Sequence, residues 1–285
     1  GAPCQAFSLR GKHGGFDDTR GTLFREFARI VIECRPKVFI FENVKGMLSH
    51  DKGRTWEIIK RTFENDCGYD VYYQVLNGKD YGIPQSRERL YCIGFKKKTD
   101  FKYPAPISLT SNIHDYLEKS FDTKYFLKQK GANFVTRSIN SQKSYTQING
   151  DILLCQKRNQ QFNWHGDFIF YPCKKNEESF DGDDLTLFDI NDFEESYYAN
   201  KYQNDSVQIE GKKASVINYD ASEIDYCKGR FRKLTPRECL RLMGFEDSFR
   251  IVCSDTETYK QAGNSIIVNV LIALLRKMDI TKYAE

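Results

Sequence analysis

At 285 residues, with 40% apolar, 29% charged and 14% aromatic side chains, the chain is long enough for one large domain or two small ones and too apolar for wholesale disorder. No window approaches the ~18 uninterrupted apolar residues of a membrane span, and no charged-then-apolar leader opens the chain, so a soluble, cytoplasmic protein without a membrane partner is expected. Nine cysteines without a Cys-x-x-Cys pair lack the spacing signature of ribbon-type metal sites and of thioredoxin-type chemistry, and the +4 charge conceals an asymmetry: nine acids and no base from Glu177 to Glu195, against a basic remainder that suits a polyanion.

Gly1-Ala2-Pro3 precedes a Pro-Cys turn with no complete strand before it, so the start is expected to be cut from within a larger unit. A loop with Gly11, Gly14, Gly15 and Gly21 follows, and so many glycines predict mobility. Leu23, Phe24, Phe27, Ile30 and Val31 then fall at helical spacing up to Pro36. Val38 to Phe41 is a continuous apolar run, which predicts a strand buried on both faces of a parallel sheet, with Glu42-Asn43 at its carboxyl end. Trp56, Ile59 and Phe63 mark a helix closed by Gly68, and Tyr69–Leu76 and Leu90–Phe95 read as strands. In α/β sheets of this kind ligands bind beyond the carboxyl ends of strands, where Glu42 is placed.

After Pro104-Ala105-Pro106 the rhythm fades into a stretch rich in Asn, Gln, Lys, Tyr and Ser. The expected organisation is a domain over residues 1–105, a second and irregular one over 106–228, and a segment over 229–285 returning to the first. The acidic run at about 177–195 reads as an exposed insertion in the second. Thr235-Pro236-Arg237-Glu238 is a capping box with proline at the first helical position, and Gly244 supplies the stop. A last helix from about Ser265 to Met278 should pack back on the first domain.

Cys4, on a turn, is a nucleophile candidate if nearby positive charge lowers its pKa, although a lone cysteine is commonly inert. Glu42 is costly to desolvate without a partner or a task. Arg87 and Arg89 project to one face by the two-residue period, ready to grip a carboxylate or carbonyl; the plainer alternative is a surface ion pair with Glu88.

Gly-x-Pro-Cys-Gln-x-Phe-Ser at 1–8, Glu42-Asn43-Val44, Gln85-x-Arg87-x-Arg89, Arg232-Lys233-Leu234-Thr235-Pro236-Arg237-Glu238 and Gly263-Asn264-Ser265, in this order, resemble the motifs of the cytosine-5 DNA methyltransferases. The resemblance covers roughly residues 1–105 and 229–280. It implies a Rossmann-like α/β sheet dependent on S-adenosylmethionine, with a smaller, mainly β target-recognition domain. It implies covalent attack by Cys4 on C6 of a flipped-out cytosine in double-stranded DNA, Glu42 as proton donor, and Arg87 and Arg89 as its support. Gln5 and Ser8 would close a loop over the DNA backbone, and Pro3, Leu23, Asn264 and Ser265 would border the cofactor. The family's opening strand and Phe-x-Gly-x-Gly turn are not found. The chain alone is therefore expected to bind cofactor weakly and show little activity, unless a second chain supplies that half.

The middle domain stands where the family keeps its recognition domain. There Gln156, Lys157, Arg158 and Asn159 could read base edges, and Lys124, Lys128, Lys130, Arg137 and Lys143 could track phosphates. Phe162 and Trp164 could stack but favour core packing. His165 reads as structural, and no metal site is expected. A modification enzyme of a restriction system is the leading expectation. The alternatives are a tRNA cytosine-5 methyltransferase, whose Cys-Phe-Thr signature is not found, and a catalytically silent DNA-binding module.

Overall fold

In the computed structural model, which describes residues 23–135, 146–159, 165–174, 188–189 and 224–283, the chain forms two units. The first takes Gly1–Gly82, Arg87–Leu109 and Val268–Glu285; the second takes Ile83–Ser86 and Thr110–Ile267. In the first, helical spacing makes α1 (Leu23–Cys34), with Phe24, Ala28 and Val31 buried along one stripe. Pro36, which lacks an amide donor, stands between α1 and β1 (Val38–Val44). Trp56 and Ile59 are buried in α2 (Arg54–Arg61), and Gly68, at φ 74°, reverses the chain into β2 (Asp70–Asn77). β3 (Glu88–Phe95) completes a sheet of order β1-β3-β2.

β3 is antiparallel to both neighbours, which corrects the expected parallel sheet. β1 and β2 do run the same way, but the reversed β3 lies between them. Along β1 buried residues alternate with half-buried ones, whereas β3 is buried at every position from Leu90 to Phe95. A short apolar run does not say which strand is central, because burial on both faces depends on pairing rather than on composition. Phe39 and Phe41 share a core with Phe24, Phe63, Leu90 and Cys92. The Phe39 ring covers Gly94, its register partner, where a Cβ would stand 2.1 Å from the ring.

The second unit contains α3 (Gln129–Val135) and a sheet of order β4-β5-β7-β6, comprising β4 (Thr146–Ile148), β5 (Gly166–Lys174), β6 (Phe188–Asp189) and β7 (Ile224–Lys233). Only β4–β5 among these pairings is parallel. Leu127, Ala132, Val135, Ile148, Phe168, Phe170 and Phe231 form its core. Of the acidic run, Phe188–Asp189 is the edge strand β6; the remainder lies outside the described residues.

Thr235 caps α4 (Pro236–Arg241) with both bonds of the box. Its Oγ1 accepts the Glu238 amide at 3.2 Å, and Glu238 Oε2 accepts the Thr235 amide at 2.8 Å. Arg232 of β7 donates to both Glu238 oxygens, at 2.7 and 2.8 Å, with both side chains 0% exposed. This pair ties α4 to β7 within the second unit, which runs on to Ile267. α5 (Asp255–Asn264) is absent from the sequence expectations, although Ser254-x-x-Glu257 is a capping signature and the Ser254 side chain accepts the Glu257 amide. The return to the first unit is made by α6 (Val268–Met278), where Asn269 Nδ2 donates to the Tyr81 carbonyl at 3.1 Å. No helix among the described residues is long and apolar enough to cross a membrane.

Candidate active site

Alternation along β1 places the site. With Phe39 and Phe41 in the core, the two-residue period puts Ile40 and Glu42 on the other face of the sheet. The antiparallel register sets Glu42 opposite Tyr91 and Val44 opposite Arg89. Glu42 and Arg89 are thus diagonal neighbours, a separation that only long side chains span. Arg89 Nε stands 3.3 Å from Glu42 Oε1, and the two side chains are 16% and 18% exposed. Arg87 is buried, and its backbone is pinned on both sides: Asn77 Oδ1 accepts its amide at 3.0 Å, and its carbonyl accepts the Gly78 amide at 3.1 Å.

Burial pushes the Glu42 carboxyl above the ordinary carboxylate range; the charges of Arg89 and then Arg87 oppose that rise without cancelling it. Burial first, and then the Glu42 charge, push the Tyr91 phenol up, so Tyr91 keeps its proton. A carboxyl so held is a weaker acid than a solvated one, and the guanidinium stands beside it. The alternative of an arginine pair with Glu88 is overturned for Arg89. Glu88 points to the opposite face and pairs with Lys45 at 3.0 Å, both largely exposed.

Cys4, Pro3, Gln5 and Ser8 lie outside the described residues, as do Arg137, Lys143, Phe162 and Trp164. Leu23 opens α1 exposed; in the second unit Asn264 is exposed at the end of α5, and the half-buried Ser265 donates through Oγ to the Ile266 carbonyl. An apolar side chain, a neutral amide and a hydroxyl suit the adenosyl and aminoacyl parts of S-adenosylmethionine in type. Gln156 departs from its expected role: it is 1% exposed and its amide meets the Cys239 thiol, so its side chain is not at the surface where a base edge could be read. Arg158 and Asn159 are exposed and Lys157 half-buried. Lys128 and Lys130 are exposed, and Lys124 is paired with Asp255 at 3.0 Å. The His165 ring lies 5.5 Å from that of Phe134, a packing role.

Sequence reading misses Tyr91 and Asn77. Tyr91 carries no signal without the strand register, whereas Asn77 at a strand end, just before Gly78, is a recognisable turn residue.

A C-5 cytosine-specific DNA methylase family model matches residues 1–279. The type II methyltransferase M.SsoII of Shigella sonnei is 37% identical over 288 residues, covering 99% of this chain and 63% of that protein. M.HhaI of Haemophilus parahaemolyticus is 36% identical over 274 residues, covering 95% and 72%. The chain therefore spans less than two thirds of the length of M.SsoII. Among solved structures, the Entamoeba histolytica methyltransferase EhMeth superposes with a TM-score of 0.62 over 99% of this chain and 76% of that one, at 17% identity, which speaks for the fold alone.

Proposed function

Because the chain belongs to the C-5 cytosine-specific DNA methylase family, we propose that it transfers a methyl group to C5 of a cytosine in double-stranded DNA, as the modification enzyme of a restriction system. The observation that carries this reading is the Glu42 carboxyl, raised by burial and oriented by Arg89, at the end of the Glu-Asn-Val strand.

A base inside a duplex has to swing out of the stack, at a cost of a few kcal/mol. The Cys4 thiolate adds to C6, forming a C–S bond. The displaced ring electrons move toward N3, where Glu42 gives its proton, and C5 becomes nucleophilic. Arg89, with Arg87, holds Glu42 and the base carbonyl in place. S-adenosylmethionine, when bound, supplies an electrophilic methyl group; Pro3, Leu23, Asn264 and Ser265 are the residues proposed to border it. After methylation a base takes the C5 proton, those electrons re-form the ring double bond and expel the Cys4 thiolate, and N3 returns its proton to Glu42. Gln5 and Ser8 close over the DNA backbone, while Lys157, Arg158 and Asn159 read base edges.

DNA carrying 5-fluorocytosine tests the reading, because fluorine cannot leave as a proton does and elimination stops at the adduct. With the full-length protein and S-adenosylmethionine, a covalent complex through Cys4 is expected by peptide mass mapping, and Cys4→Ser should abolish it. No adduct from the wild-type protein overturns the covalent mechanism.

A further inference from the structure

The segment that carries Lys157, Arg158 and Asn159 is held from three sides within the second unit. At its start, Leu153 makes a parallel bridge with Gln85: the Leu153 amide donates to the Pro84 carbonyl at 2.7 Å, and the Leu153 carbonyl accepts the Ser86 amide at 2.8 Å. The Leu154 amide donates to the buried Asp167 carboxylate at 3.2 Å. One step on, the Gln156 amide donates to Gln85 Oε1 at 3.1 Å. Gln85 is 0% exposed, and its Nε2 donates in the other direction, to the Leu242 carbonyl at 2.7 Å. A single amide side chain thus joins the segment to the end of α4.

The third side is steric. A Cβ built on Gly263 would lie 2.4 Å from the Lys157 carbonyl carbon, 2.4 Å from the Arg158 nitrogen and 2.5 Å from the Lys157 oxygen. These are backbone atoms, which cannot turn aside as a side chain would, so hydrogen at this position is what lets the segment settle against α5. Immediately beyond the seat the side chains turn outward, with Arg158 and Asn159 exposed.

We propose that Gln85 and Gly263 are positioning residues for base recognition: together they seat the backbone of residues 156–158, so that Arg158 and Asn159 are presented to DNA in one register. The proposal rests on the DNA-methylating reading above and assigns it a specificity device. In sequence, Gln85 stands two residues before Arg87, and Gly263 immediately before Asn264. The two short motifs read for catalysis and cofactor therefore also carry, on neighbouring residues, the support of the recognition segment.

Gly263→Ala is the sharpest test, because alanine favours the helix that Gly263 belongs to, leaving the clash with the segment as its cost. Two measurements are made on the full-length protein. Amide hydrogen exchange should quicken over residues 153–159 in Gly263→Ala and in Gln85→Leu, while that of β7 is unchanged. Affinity is then compared between the duplex sequence enriched by the wild type from a random-sequence pool and the unselected pool. The ratio should fall on the order of tenfold in both variants, the value of about one good base contact, with S-adenosylhomocysteine affinity retained. Arg158→Ala should lower the ratio without altering exchange. Unchanged exchange and an unchanged ratio in Gly263→Ala overturn the proposal, as does a loss of cofactor binding equal to the loss of discrimination. If the wild type enriches no DNA sequence, the functional reading fails, and exchange still decides whether the seat exists.

Discussion

Among the described residues, two carboxylates shielded from solvent face an arginine, Glu238 opposite Arg232 in the second unit and Glu42 opposite Arg89 in the first. The oxygens of Glu238 accept from both terminal nitrogens of Arg232 and from the Thr235 and Glu118 amides, all at 2.7–2.8 Å. Arg232 is further enclosed by the Phe121 ring, 4.2 Å from the guanidinium carbon, and by the Tyr171 hydroxyl at 3.1 Å. Glu42 meets Arg89 at 3.3 Å, and both side chains keep some exposure. Desolvating a carboxylate disfavours its charged form unless donors replace the lost water. Glu238 has its full set of donors and serves as a structural anchor. At Glu42 burial outweighs the two arginines, and the carboxyl is raised above its ordinary range.

The largest effect expected from this contrast is on folding. Arg232→Leu leaves the Glu238 carboxylate buried without its countercharge and should cost about 3–5 kcal/mol in denaturant unfolding, whereas pairing it with Glu238→Leu should restore much of the loss. A loss below about 1 kcal/mol would remove the structural half of the contrast. Next in size, Glu42→Gln should slow methyl transfer by on the order of 10²-fold. Its unfolding free energy should be unchanged or slightly higher, since the fold does not favour the charged carboxylate there. A variant that unfolds like Arg232→Leu would show Glu42 to be an anchor too.

The smallest effect is on titration. Arg89→Ala removes the charge that most lowers the Glu42 pKa, so its carboxyl should rise further, as followed by NMR of labelled glutamate. Between the ordinary carboxylate range and the raised value, the native state keeps a proton that the unfolded chain has lost. The Glu42 contribution to stability therefore falls as pH rises through that window, and Arg89→Ala should extend the window upward. An unmoved titration would mean that the charge of Arg89 does not act on Glu42.

Local signals carried much of the architecture. The α1 stripe, the capping box at Thr235 and the stop at Gly244 depend on spacings within a few residues, and each element stands where those spacings put it. Glu42 and Arg89 were legible as candidates because a carboxylate after an apolar strand and arginines two apart are local facts as well. Their pairing was implied by the family resemblance and by no local pattern, since it depends on β3 lying antiparallel beside β1 with Val44 opposite Arg89. For the same reason Tyr91 was invisible and Gln156 was misplaced: its type suits a base edge, but its position in the second unit buries it against Gln85 and Cys239.

Composition, periodicity and motif order thus determined most elements of the first unit, the capped helix after Thr235 and the kinds of chemistry available. Only the tertiary structure decided which carboxylate is saturated with donors and which is not, where the second unit ends, and what a side chain at residue 263 would meet. Backbone preference and amphipathic spacing act over a single turn or strand. Burial, strand register and steric exclusion arise between segments far apart in the chain, and no local pattern encodes them.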